Sequence, residues 1–145
     1  MTDDNLSSNP TASGEWLAHP MVRALLQELA SKLVALAHDG LSNSIDLRRL
    51  PLPSGALDAF RAWLGRGEVH ATVTALGTTT IDETAIAGVW WMRYANASGG
   101  LIGESLEIAA CPALLGVRQS DIGAAAEALR QRLADLAEPF AMGTH

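Results

Sequence analysis

The side chains able to do chemistry are few and far apart. Histidine occurs at positions 19, 38, 70 and 145, and the one cysteine is Cys111. No histidine has a second histidine or Cys111 at the close spacing that a helical turn or hairpin makes into a ligand pair, so no metal site is expected. One cysteine excludes an internal disulfide and a Cys-rich zinc or iron–sulfur site. Its neighbour is Pro112 and no base stands beside it, so it reads as a small packed side chain. The sequence contains no Ser-His-Asp elbow, P-loop or dinucleotide fingerprint, and "GLIGES" (100–105) has its glycines inside a strand pattern. No cofactor is expected. If the chain is instead a small enzyme or cofactor carrier, His70, Glu83 and Cys111 are the residues around which a pocket would form.

Carboxylates and indoles carry more information. Between residues 67 and 110 the charged side chains are Glu68, Asp82, Glu83, Glu104 and Glu107 against Arg93 alone. Such a region is either a solvated face or a docking face for a basic partner. Within it "GVWWMRY" places Trp90 and Trp91 side by side. In a strand, adjacent side chains point to opposite faces. Trp90 shares its face with Met92 and Tyr94, and Trp91 shares the other with Val89 and Arg93. The first set is the more apolar, which makes Trp90 the expected core residue and leaves Trp91 as a surface anchor. Glu83, Trp90, Trp91, Arg93, Glu104 and Glu107 are therefore the candidate partner-binding residues.

These residues need elements to position them. "HPMVRALLQELASKLVALAHDG" carries Val22, Leu25, Leu26, Leu29, Leu33 and Leu36 at helical spacing, with Pro20 in the first turn and Gly40 after the last. A short strand is expected around 44–47, then a second helix, "GALDAFRAWLG", capped by Ser54. Strand patterns follow over 68–76, 79–86, 89–95 and 101–109, and a last helix over about 120–136 has its stripe at Ile122, Ala126, Leu129, Leu133 and Leu136. Short loops between successive strands favour antiparallel pairing. The expected fold is α+β: an antiparallel four- to five-stranded sheet with the N- and C-terminal helices packed on one face. Residues 1–15, polar and acidic, are expected to be a disordered tail, and 16–140 a single domain.

The chain has 145 residues, 48% of them hydrophobic, and a formal net charge of −6. Acidity with a single lysine excludes a general nucleic-acid binder. No apolar run approaches the length needed to span a bilayer, and the first residues lack the regions of a signal peptide, so a cytoplasmic protein without membrane insertion is expected.

Three segments resemble the HupH/HyaF family of hydrogenase expression/formation proteins. They are "IDLRRLPLP", "LGRGEVHATVTALGTTTIDETAIAGVWWMRY" and "GESLEIAACPALL", within Ile45 to about Leu115. Ala87 stands where the family pattern has a proline. The resemblance implies a non-enzymatic, chaperone-like factor in the maturation of a membrane-bound [NiFe] uptake hydrogenase. Its implied partners are the iron–sulfur small-subunit precursor, exported with a twin-arginine signal, and other maturation factors. The resemblance carries no catalytic residues. Longer members hold two related domains and this chain has room for one, so a homodimer is expected.

Overall fold

The computed structural model describes residues 15–142, with side chains described for 15–137. The expected tail thus lies outside the described residues except for Glu15, which opens a 3-10 turn, Glu15–Ala18. His145 lies outside them too. The chain divides into two compact units, the first ending at Pro112 and the second beginning at Ala113.

The first unit opens with α1, Pro20–Asp39. The His19 ring caps it, Nδ1 accepting the Met21 N–H at 3.2 Å. Gly40, at φ +69°, closes it through its N–H to the Leu36 carbonyl, a left-handed position that suits glycine. The short strand β1, Asn43–Asp46, leads through a Pro-rich loop to α2, Ala56–Leu64. Ser54 does not cap α2. Gly55 occupies that position at φ +81° with no side-chain cap. Entry is made by backbone instead, the Ala56 N–H donating to Pro53 and the Ala59 N–H to Gly55.

Four strands follow: β2, His70–Thr74; β3, Thr78–Glu83; β4, Val89–Ala95; and β5, Leu101–Ile108. They form a meander, and β1 joins its far edge, giving the order β1-β5-β4-β3-β2 with every pair antiparallel. The expected α+β class, with five strands, is therefore observed. One sheet face packs against α1 and α2. Its core holds Val22, Leu25 and Leu29 from α1, Phe60 and Leu64 from α2, and Ile45, Val89, Trp91, Leu106 and Ile108 from the strands. Trp16, in the 3-10 turn, meets Phe60 edge-on with centroids 6.2 Å apart.

The second unit holds a 3-10 turn, Ala113–Leu115, and α3, Gln119–Met142. The helix runs beyond the expected 120–136. Its first turn is closed by the Asp121 and Ile122 N–H groups, both donating to the Arg118 carbonyl. No described helix is long and apolar enough to cross a membrane.

Candidate functional site

Register brings three of the six candidate residues, Trp91, Arg93 and Glu104, together on the helix-covered face, and sets Glu83, Trp90 and Glu107 in a row with the other parity. His70 on β2 pairs with Asp82 on β3, Asp82 with Trp91 on β4, and Trp91 with Leu106 on β5. One step along, Arg93 stands opposite Glu104. Directly paired residues share a face, so one row of side chains crosses from the β2 edge towards the sheet centre.

Trp91 is the middle of that row and is 1% exposed. Trp90 is buried as expected, at 6% exposure but on the other face, while the expectation that Trp91 stays at the surface is overturned. The helices lie on the face that Trp91 shares with Val89, and α2 brings Phe60 to within 6.0 Å of its ring. Counting apolar neighbours along β4 gave the wrong face because the sequence does not show on which side the helices pack. The Trp91 N–H donates to Glu104 Oε2 at 2.7 Å. Arg93 Nε lies 3.4 Å from the same oxygen. Over the indole, the Arg61 guanidinium sits 5.2 Å from the ring centroid and bonds Asp82 Oδ2 at 2.7 Å. The other Asp82 oxygen meets His70 Nδ1 at 3.0 Å. His70, Asp82, Arg61, Trp91, Glu104 and Arg93 therefore form one continuous chain of polar and cation–π contacts. Arg61 and Asp82 were not among the expected site residues. No local signal marks Arg61, because its contacts depend on α2 packing beside the tryptophan strand.

Glu83 has a different task. Its Oε1 accepts the N–H groups of Glu68 and Val69 at 2.7 and 3.2 Å. Its backbone exchanges bonds with the same segment, Gly67 N–H donating to Glu83 O and Glu83 N–H to Val69 O. The "GEV" and "DET" segments meet here, and the carboxylate anchors the entry to β2. Thr84, buried beside it, accepts the Ile86 N–H and donates to the Val89 carbonyl at 2.8 Å, fixing the turn that leads into β4.

Trp90 points to the opposite face, where it, Ile81 and Met92 are buried. Its indole N–H donates to the Ala109 carbonyl at 2.9 Å. Glu107 stands opposite Trp90 in the register and is half-buried. Neither tryptophan is therefore an exposed anchor.

The residues proposed for an enzymatic pocket are not assembled into one. His70 is paired with Asp82 and Glu83 with backbone N–H groups. Cys111 follows β5, which β3 and β4 separate from β2. Its thiol donates to the Pro112 carbonyl at 3.8 Å. Among the described residues no group of three or more His, Cys, Asp or Glu side chains is placed to hold a metal ion.

An open cavity of about 390 Å³ lies beside the row, lined by Leu47, Leu50, Leu52 and Leu57 and by the charged side chains of Arg48, Asp58 and Glu104. Arg48 is fixed by its bond from Nη1 to the Leu101 carbonyl at 2.9 Å. Glu104 is 9% exposed, and both its contacts, from Trp91 and Arg93, fall on Oε2. The result is a recess of leucines with two carboxylates and one guanidinium in its wall.

Comparison with known proteins gives consistent matches. The family model described as HupH hydrogenase expression protein, C-terminal conserved region, matches residues 21–136. The hydrogenase expression/formation protein HoxQ of Azotobacter vinelandii is 36% identical over 102 residues, 70% of this chain and 35% of its own length. The corresponding figures for HupQ of Azotobacter chroococcum mcd 1 are 37% over 98 residues, 68% and 34%. The chain thus spans about a third of the length of these curated relatives. The solved structure of a hydrogenase expression protein HupH from Thiobacillus denitrificans ATCC 25259 shares the fold, with a TM-score of 0.72 and 43% identity over 77% of this chain and 92% of that one.

Proposed function

The chain belongs to the HupH hydrogenase expression protein family, whose C-terminal conserved region it carries, and from that premise we propose that it is a non-enzymatic accessory factor in hydrogenase maturation that holds a subunit precursor. The precursor is that of the iron–sulfur small subunit of a membrane-bound [NiFe] hydrogenase, held in the cytoplasm before export. The names of the relatives above, hydrogenase expression/formation proteins and a hydrogenase expression protein, support the maturation role.

The observation that carries the docking proposal is the recess at Glu104. A buried carboxylate at the wall of a leucine-lined cavity, with Asp58 beside it, suits a side chain with an aliphatic stem and a cationic tip. Burying the stem against Leu50, Leu52 and Leu57 supplies apolar contact, and the tip meets carboxylate oxygen. Arg93, whose side chain is 46% exposed, and half-exposed His70 extend the same face outward. An arginine-bearing signal segment has the chemistry this recess accepts. Glu83, Trp90 and Trp91 then serve docking by holding the sheet in shape, while Glu104 and Arg93 touch the partner.

The test is affinity capture with the tagged chain from cells making the hydrogenase, with the captured chains identified by mass. The small-subunit precursor with its signal still attached is expected. Capture of the large subunit instead, or of the small subunit equally well after its signal is removed, would overturn the partner assignment.

A further inference from the structure

The two edges of the sheet are built differently. At one, β1 is only Asn43–Asp46 and is followed by Arg48 and Arg49, Arg49 pairing with Asp46 at 3.2 Å. Short length and charge protect an edge from pairing with another chain. The opposite edge, β2, reads His70-Ala71-Thr72-Val73-Thr74 and contains no proline, lysine or carboxylate.

The register fixes which backbone groups of β2 are used. Glu83 N–H donates to Val69 O, and Ala75 N–H to Gly77 O. In an antiparallel ladder, hydrogen-bonded pairs alternate with non-bonded ones. Ala71 opposite Ile81 and Val73 opposite Thr79 are therefore bonded pairs. The N–H and C=O groups of His70, Thr72 and Thr74 point away from β3, along an edge that pairs with no other strand among the described residues.

We propose that this edge pairs antiparallel with the β2 edge of a second copy of the chain, joining two sheets across a two-fold axis at Thr72. In that register Thr72 faces Thr72 of the second copy, His70 faces Thr74, and Ala71 faces Val73. The outward-pointing residues all fall in bonded pairs, so each exchanges both of its hydrogen bonds. Threonine pairs are favourable across strands, and no like charges meet. The nearby carboxylates do not call for a basic strand instead, because they are already engaged. Asp82 lies between Arg61 and His70, and Glu83 accepts two backbone N–H groups. A neutral, β-branched edge is matched by its own copy. Leu76, 96% exposed at the turn after β2, comes beside Glu68 and Val69 of the second copy. Edge pairing alone buries less than an interface of standard size, so the dimer forms at roughly tens of micromolar. The inference rests on the backbone and does not depend on the hydrogenase reading.

Sedimentation of the full chain across about 1–300 µM, a range set around that value, tests it with two variants. Thr72→Pro removes an N–H that points away from β3. Thr72→Lys sets like charges face to face on the axis. Both are expected to stay folded and to dissociate at least about tenfold more readily than the parent. Amide exchange adds a residue-level reading: the His70, Thr72 and Thr74 amides should gain protection as concentration rises. A parent chain that stays monomeric throughout, or a dimer unchanged in both variants, would overturn the proposal. So would protection of these amides that appears only when hydrogenase precursor is added, since that assigns the edge to an extended segment of the partner.

Discussion

Glu83 and Glu104 show how one residue type takes two roles according to what surrounds it. Glu83 accepts two backbone N–H groups on one oxygen and anchors a strand entry, whereas Glu104 is held from one side by Trp91 and Arg93 and lines a recess on another. Trp91 joins the core to Glu104, since its ring packs on Phe60 and its N–H anchors the carboxylate. Replacing it separates these contributions. Trp91→Phe keeps most of the apolar volume but leaves the buried carboxylate without its best donor, at an expected cost of about 1–3 kcal/mol. Trp91→Ala also opens a cavity and should cost about 3–5 kcal/mol. Chemical denaturation reads both terms: a Trp91→Phe variant as stable as the parent would show that the hydrogen bond contributes nothing, and equal losses in the two variants would show that the ring volume contributes nothing. The sequence showed that Trp90 and Trp91 occupy opposite faces. It did not show which face the helices cover, because that depends on the packing of elements more than 20 residues away.

At the scale of elements, two short segments hold the sheet together where hydrophobic pattern is weak. A Cβ at Gly67 would come within 2.6 Å of the Glu83 Cγ and 2.7 Å of its Cδ. The glycine is thus the space through which the Glu83 side chain reaches the next two N–H groups. Gly67→Ala and Glu83→Ala should each destabilise by about 1–2 kcal/mol, and the double variant by clearly less than their sum, because removing the carboxylate relieves the clash. Additive losses in thermal or denaturant unfolding would count against this coupling. Thr84→Val keeps the shape at the following turn but removes both hydroxyl bonds, and it should cost about 1–3 kcal/mol by the same measurement. An unchanged midpoint would show that the turn is held by backbone alone. The helices and strands themselves were legible from periodicity. Val22, Leu25 and Leu29 mark α1, and alternation marks β2. The Gly55 entry to α2 was not legible, since Ser54 offers the commoner capping chemistry and only the backbone turn from Pro53 decides against it.

At the scale of the molecule, an α+β frame sets a row of polar side chains on a sheet face that the helices only partly cover. Trp91, Arg93 and Glu104 were readable as candidates from charge and aromatic content, and His70 only as part of an alternative enzymatic pocket. Arg61 and Asp82 were not, because nothing in the local sequence ties a helix arginine to an aspartate 21 positions on. The Glu104 recess depends likewise on a loop, 47–55, folding beside β5, which no periodicity reports. The central claim is that this recess receives a cationic side chain of a hydrogenase precursor. Titration of the purified small-subunit precursor, signal attached, against the parent chain and Glu104→Gln tests it most directly. The amide keeps an acceptor for the Trp91 N–H while removing the charge, so circular dichroism and the unfolding midpoint should change little. The account predicts that Glu104→Gln binds at least about tenfold more weakly, about 1.4 kcal/mol, with most of the loss gone when the signal is deleted. Equal affinity of the two proteins, or no measurable binding by the parent chain, would contradict it.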